Sequence, residues 1–471
     1  MPVSSLRHMP VLSLVLSLAL PLAAAAGGHE QITGPFTDIQ SVTLQCLQCH
    51  AQQGSDILQS SHWTWRRTRR VGTATRSFAK KDGLTTFALG VESNPSRCLT
   101  CHISGNRLSG SHDPASSAHI DCLVCHDTTG TYRRSFGAPA NNLDLVRIAG
   151  KVGKPEPRNC LTCHGRACGL TGLSGHDGLS DDIHLKRDGV DLACQQCHPS
   201  EDKHLFPRQR TATNDNPKAT GCSGCHSATP HARNQLNRHA GTVACQTCHI
   251  PVYGPGTPAL ISWNWLTRPE QELFQQQTSP IPLLTKNGMT LATNVRPVYF
   301  WDHGGEEIYE RGDKIDPTKT TVLLQPAPRE ATSQLKPFTA LYGTQLYDTK
   351  FRYLLSPVLA KDAPTWFTSA DWDRIASEGM NSLRLPYSGS FGFTATVTFR
   401  RLSHGVVPAA LALDCLDCHG KQGRLPWREL GFPQDPWLDQ DPELTKGRQQ
   451  PPPVQNPAPA GQEPSPSGSA K

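Results

Sequence analysis

One five-residue word, Cys-x-x-Cys-His, occurs eight times in this chain and takes sixteen of its 17 cysteines. The copies are Cys46/Cys49/His50, Cys98/Cys101/His102, Cys122/Cys125/His126, Cys160/Cys163/His164, Cys194/Cys197/His198, Cys222/Cys225/His226, Cys245/Cys248/His249 and Cys415/Cys418/His419. At this composition chance supplies about 0.03 copies. Two thiols, two residues apart, can add to the two vinyl groups of one porphyrin. The histidine after the second thiol then lies under the ring as the proximal iron ligand. Zinc sites built from CxxC pairs do not require histidine after every second cysteine. Thioredoxin-like chemistry needs one CxxC, not eight. The sequence therefore predicts eight covalently attached haem c groups.

Composition agrees with a core partly made of cofactor. The 471 residues are only 37% hydrophobic and 18% charged, with 39 Gly and 39 Pro. Roughly one macrocycle per 56 residues would supply the missing apolar interior of so loop-rich a chain. The formal charge of +6 misleads about partners, because sixteen haem propionates would bring the mature protein to roughly −3 when ferric and −11 when ferrous. Nucleic-acid binding has no support. The run Arg66-Arg67-Thr68-Arg69-Arg70 is short and isolated, and reads as a solvated face or a set of propionate partners.

The first 26 residues read as a secretory signal peptide. Arg7 and His8 precede the apolar run Val11 to Leu20, and Ala24-Ala25-Ala26 stands before Gly27 as a cleavage site. The run is too short for a membrane anchor, and no later stretch reaches the length of a span. A periplasmic location follows as an expectation. Motif starts are spaced 52, 24, 38, 34, 28 and 23 residues apart, and then 170 residues separate Cys245 from Cys415. The organisation expected is a signal at 1–26, a seven-haem block at 27–249, a haem-poor region ending in the eighth site at 250–448, and a disordered Pro-rich tail at 449–471. Within 250–400, Trp372, Ile375, Ala376 and Met380 have helical spacing and predict a helix around Ser369–Ser382. Trp263, Trp265, Tyr299, Phe300 and Trp301 read equally as covers over haem faces or as ordinary core. The fold class expected is mainly α with extensive loops and few strands.

Iron also needs a sixth ligand. An imidazole there makes an electron carrier, whereas an open position admits substrate. Outside the signal and the motifs, eleven histidines compete: His29, His62, His112, His119, His176, His184, His204, His231, His239, His303 and His404. His29, near the start of the mature chain, is a poor candidate.

Several longer words resemble the octahaem tetrathionate reductase family of periplasmic multihaem cytochromes. They are Ser61-His62-Trp63-Thr64-Trp65, the stretch Asp121 to Tyr132, Leu236-Asn237-Arg238-His239 leading into Ala244 to Pro251, Gly312-Asp313-Lys314-Ile315, Leu385-Pro386-Tyr387-Ser388-Gly389, and His404 before the last motif. The resemblance spans nearly the whole mature chain. It implies a multihaem cytochrome architecture with His62, His176, His184, His204, His231, His239 and His404 as distal ligands of seven bis-histidine haems. It also implies that the second haem, on His102, is catalytic and capped by a lysine placed soon after Gly130-Thr131-Tyr132. This sequence has Arg133 and Arg134 there. Guanidinium has no free lone pair for iron, so Lys151 or Lys154 reaches in, or His112 or His119 ligates. Arg133 and Arg134 would then act as oxyanion clamps. The lone thiol outside the motifs, Cys168, reads as inert or as an aid to sulfur chemistry.

The function implied is a respiratory reductase of a small sulfur oxyanion such as tetrathionate, with nitrite or hydroxylamine as other substrates. Its partners would be a periplasmic or quinol-linked donor and a small inorganic anion. Hydroxylamine oxidation is disfavoured, because no tyrosine follows the last motif to cross-link a haem. The competing class is an electron-transfer cytochrome with every haem six-coordinate.

Overall fold

In the computed structural model, residues 28–437 are described, except 65, 72–73, 86, 88, 100, 106–112, 136, 165–180, 201–203, 205–220, 257, 266–283, 287 and 359–370. The expected signal, the tail, His112, Cys168 and His176 lie outside the described residues.

The motif-rich half is built from short helices on loops. The exception is the helix Ile39–Gln59, which carries the first motif and departs from helical geometry at His50. It starts where the Asp38 carboxylate accepts the Ser41 N–H at 2.8 Å, satisfying a donor that the first turn leaves open. Its Ile39 and Val42 pack with Leu123, Leu145, Ile148 and Ala149. That cluster joins the first and third motifs. Ile32 and Phe36 pack on it from the N-terminal side.

The expectation of a mainly helical chain with few strands is overturned. Twelve strands occur among the described residues. Two hairpins lie in the motif-rich half: β1 (Arg66–Val71) with β2 (Ala74–Ala79), and β3 (Arg134–Ser135) with β4 (Ala138–Pro139). The remaining strands are β5 (Ala259–Asn264), β6 (Leu284–Lys286), β7 (Met289–Ala292), β8 (Val298–Asp302), β9 (Glu306–Ile308), β10 (Thr321–Pro326), β11 (Gln334–Asp348) and β12 (Phe391–Arg401). They form one eight-stranded mixed sheet in the order β6-β7-β5-β11-β12-β10-β9, with β8 also on β11. The physical reason is the long interval without a motif. A stretch with no ring to pack on must satisfy its backbone and bury its side chains by itself. Strand pairing does both for a segment such as Phe391-Gly-Phe-Thr-Ala-Thr-Val-Thr-Phe-Arg-Arg401, rich in β-branched and aromatic residues.

The helix expected near Ser369–Ser382 runs Trp372–Ser382, with the Asp371 side chain capping the Arg374 N–H. Its Ala376 and Met380 pack with Phe87, Leu260, Trp263, Trp265, Leu341 and Leu346. Trp263 and Trp265 are thus core residues. Gly379 sits where this helix touches the chain at Ser356, and a Cβ added there would lie 1.8 Å from the Ser356 carbonyl oxygen. Backbone cannot yield as a side-chain tip can, so Gly379→Ala is expected to destabilise by about 1–3 kcal/mol. A lowered unfolding midpoint by circular dichroism checks this.

The sheet also holds the cofactor-binding half in place. Ala244 donates its N–H to the Leu335 carbonyl at 3.0 Å, and the Thr247 hydroxyl donates to the same oxygen at 2.8 Å. The seventh motif therefore hangs on β11. Three residues past β12 stands His404, beside the Leu402 backbone tie to Pro337.

Candidate haem-binding site

Each motif is essentially one helical turn. The histidine N–H returns to the first cysteine carbonyl at 2.9 Å in the second motif, 3.1 Å in the third, 2.9 Å in the fifth, 2.8 Å in the sixth and 2.9 Å in the eighth. In such a turn residues i, i+3 and i+4 share a face. The spacing of the word therefore converges two sulfurs and one imidazole on the same side.

The first motif departs from the uniform picture that its spelling suggests. The sequence treats Cys46 and Cys49 as equivalent thiols, yet the structure separates them. Cys46 is half-buried and packs on the Ile39–Val42 cluster. Cys49 is exposed, together with its neighbours Gln48 and His50. The reason is local: the apolar cluster beneath the helix reaches Cys46 but not Cys49, and the helix loses its regular geometry one residue later, at His50. Exposure of a motif thiol recurs elsewhere: Cys101, Cys197 and Cys245 are exposed, and in the sixth motif both Cys222 and Cys225 are.

Seven motif imidazoles each face a second imidazole. The ring centroids are 6.0 Å apart for His50–His29, 6.1 Å for His164–His62, 6.0 Å for His126–His204, 6.3 Å for His198–His404, 6.1 Å for His226–His184, 6.2 Å for His249–His231 and 6.3 Å for His419–His239. Two nitrogen–metal bonds of ~2 Å, plus ~1.1 Å from each nitrogen to its ring centre, put two axial imidazoles about 6.2 Å apart. The pairs thus fit an iron between them. Burial brings His62 and His404 down to about 4. Each stays neutral at physiological pH and keeps a lone pair for a metal. Among the described residues no group of three or more His, Cys, Asp or Glu is arranged to hold a bare metal ion.

The pairing differs from the sequence reading at one end. His29, set aside there, stands opposite His50. The strap that carries it is pinned by Ile32 and Phe36 on the cluster below the helix Ile39–Gln59. Two isolated apolar residues in a polar lead-in give little sequence signal of such anchoring.

The motifs also touch one another. Cys46 and Cys122 are hydrogen-bonded thiols, as are Cys160 and Cys194, and Cys222 and Cys245. Cys125 lies close enough to push the Cys160 thiol up. Cys225 does the same to Cys197, and Cys415 to Cys248. The Cys163 sulfur lies 3.8 Å from the Cys101 carbonyl oxygen. In order of contact the motifs run first, third, fourth, fifth, sixth, seventh and eighth, with the second branching from the fourth.

His102 has different surroundings. Its ring meets Trp63 at 5.5 Å, and its Nδ1 accepts the Ser104 N–H at 3.2 Å. Arg134 donates through Nη2 to the carbonyls of His102 at 2.9 Å, Ser104 at 3.0 Å and Gly137 at 3.2 Å. Its Nε lies 3.1 Å from the Asp121 carboxylate, both side chains being almost fully buried. The Tyr132 hydroxyl donates to Asp121 at 2.8 Å. Burial raises the Asp121 carboxyl, and Arg134 and Tyr132 oppose that rise. Arg134 is thus largely engaged in holding the motif's backbone. Its Nη1 is buried and makes no hydrogen bond among the described residues. Arg133 is exposed. Lys151 and Lys154 are also exposed, and the Lys151 backbone is tied to Thr128, beside the third motif. His119 is buried, one residue before the Ile120–Ser104 bridge.

Residues that orient the imidazoles were not legible in the sequence. The Asp182 carboxylate accepts the His184 Nδ1–H at 2.9 Å together with the N–H groups of Gly405 at 2.9 Å and Val406 at 3.1 Å. It thereby positions His184, which faces His226, and the loop that carries His404, which faces His198. Asn237 clasps His231, with Nδ2 donating to its carbonyl at 2.7 Å. Asp435 takes the Nδ1–H of His419 at 2.7 Å. None of these belongs to a repeated word.

A family of proteins described as bacterial cytochrome c matches residues 261–422, the sheet and the eighth motif. The crystal structure of an octaheme cytochrome c from Shewanella oneidensis superposes with a TM-score of 0.76 at 33% identity, over 88% of this chain and 98% of that one. No curated protein matches the chain. A third of its residues shared over almost the full length of that relative, with imidazoles paired at an iron-spanning distance, make this chain a member of the octahaem cytochromes c, and its Cys-x-x-Cys-His words are sites of covalent haem c.

Proposed function

We propose that the chain carries eight haem c groups and works in the periplasm as a respiratory reductase of a small sulfur oxyanion such as tetrathionate, acting at the site of His102. The observation that carries this reading is the set of seven imidazole pairs. Seven sites filled on both axial faces are carriers. A relay of carriers in mutual contact delivers electrons to an end, and His102 lies on the branch that leaves the fourth motif. Haem iron supplies one-electron transfer and, where an axial position is open, a place for a substrate atom. The protein's part at His102 is to fix the imidazole through Ser104 and Arg134, and to keep water out with Trp63, which is 8% exposed. The buried Nη1 of Arg134 is a donor in need of an acceptor, and an oxyanion is the ligand class that satisfies it. Tetrathionate would take two electrons, break its central S–S bond and leave as two thiosulfates. The donor would be a quinol-linked or periplasmic reductant.

One observation favours the second reading, an electron carrier without chemistry of its own. Arg134 is tied to three carbonyls, and Arg133, Lys151 and Lys154 are exposed rather than gathered on His102. The test is the ferric spectrum and turnover of the haem-loaded protein. The reductase reading expects seven low-spin haems and one that binds cyanide, with oxidation of reduced viologen on adding tetrathionate. Eight low-spin haems, inert to cyanide and tetrathionate, would assign the protein to electron transfer.

A further inference from the structure

The relay, branched at the fourth motif, ends at the first, second and eighth motifs. At the end remote from His102 stands His419, whose surroundings differ from those of His102 and His126. Its Nδ1 lies 2.7 Å from the Asp435 carboxylate. Trp427 stacks on its ring at 4.9 Å and Trp437 meets it edge-on at 5.1 Å. The side chains of His419 and Asp435 are 16% and 4% exposed. Asp435 is itself fixed by the N–H groups of Gly420 and, at 2.9 Å, Trp437. The contrast with these two motif histidines is chemical. His126 turns its Nδ1 to the neutral carbonyl of Gly153 at 2.8 Å, and His102 faces a backbone N–H.

A full negative charge on the Nδ1 proton of an iron-bound imidazole pulls that proton away and makes the other nitrogen a stronger donor. The aromatic walls lower the local dielectric and strengthen the effect. A stronger donor favours ferric over ferrous iron. We propose that Asp435 sets the redox potential of the eighth site, lowering it by giving His419 imidazolate character, so that the relay begins at its low-potential end. The couple is a one-electron change in which no bond forms or breaks and the proton stays between Nδ1 and Asp435. This inference rests on the reading of His419 as an iron ligand and deepens the proposed function. A low-potential entry opposite His102 suits a strongly reducing donor docking near the eighth motif.

The test is a spectroelectrochemical titration of the haem-loaded full chain, wild type against Asp435→Asn. One of the eight one-electron steps is expected to move upward by about tenfold in its reduction constant, which is ~59 mV for one electron. The other seven are expected to stay within about threefold, since His419 is the motif histidine that the altered group touches. Asp435→Glu, which keeps a carboxylate, is expected to restore the step. Superimposable titrations at full haem content, or a downward step, overturn the proposal. If the Asn variant loses a haem by mass, the wild type decides. Its ferric electron paramagnetic resonance must contain a low-spin bis-imidazole signal with imidazolate character, and absence of that signal overturns the proposal as well. A protein inert towards tetrathionate gives the same titration, so the potential and the reductase reading fail separately.

Discussion

Replacing His102 by alanine is expected to lower tetrathionate reduction by more than about a hundredfold while the seven paired sites keep their low-spin spectra. Loss of a residue that merely orients a ligand costs 10–100-fold, and His102 would be the ligand itself. The argument rests on how much structure is invested in this imidazole. Its carbonyl is held by Arg134 at 2.9 Å, Arg134 by Asp121 at 3.1 Å, and Asp121 by Tyr132 at 2.8 Å. Two buried charged side chains, joined by the half-buried Tyr132, are costly unless they satisfy one another. The thioethers of Cys98 and Cys101 would still tether the ring, so the variant should hold its haem and lose its proximal donor. Stopped-flow reduction with a strong donor would separate the two roles. Carrier sites should still reduce at the wild-type rate, and only the step that consumes tetrathionate should fail. Undiminished turnover would move the chemistry away from this motif.

The parts of the molecule written in a repeated word could be read in advance, and the parts written in backbone pairing could not. Eight copies of one word specify the attachment chemistry because a thioether demands its two cysteines at a fixed interval. The word does not specify burial, which is why Cys49 lies exposed while Cys46, one turn earlier, is packed. The histidines that face the motif histidines come from short helices, as His62 and His239 do, or from loops. His62, His184, His204, His231, His239 and His404 were singled out by resemblance, and each faces a motif histidine. His29 was passed over because position in the chain was taken for disorder, whereas two apolar neighbours pin it. The sheet was missed for a different reason. The alternation in Phe391–Arg401 lies in the interval without motifs, where haem density says nothing about secondary structure. Asp182 and Asp435 act through single contacts on far partners, which no local pattern encodes.

Removing the Asp302 carboxylate is expected to destabilise the protein by about 3 kcal/mol, the low end of the cost of breaking a buried ion pair, because one of its two cations keeps a second carboxylate. Asp302 ends β8 with its side chain fully buried. Arg401 on β12 grips it with Nε at 2.8 Å and Nη2 at 2.8 Å. Lys336 on β11 adds a contact at 3.2 Å, and the Gly304 N–H another at 2.9 Å. Asp302→Ala would strand Lys336 in the sheet, while Arg401 would keep the Glu306 carboxylate and the Gly305 carbonyl. Burial alone would raise this carboxyl, but the Arg401 hydrogen bonds and the charges of Arg401 and Lys336 prevail and hold it at about 2. An unfolded aspartate titrates near ~3.9. The folded value is the lower, so the carboxylate stabilises the fold above the unfolded value, and its contribution of about 2–3 kcal/mol fades as pH falls through the folded value. Denaturant unfolding followed by far-ultraviolet circular dichroism should therefore show the gap between wild type and Asp302→Ala widest at neutral pH and narrowing between about 4 and 2. A gap independent of pH would remove the ion-pair explanation. The consequence reaches the cofactor half, because Leu335, between Gln334 and Lys336 on the strand that Asp302 pins, carries the seventh motif through its carbonyl. Loosening β8 from β11 should thus broaden the spectrum of the haem between His249 and His231 before the other sites respond.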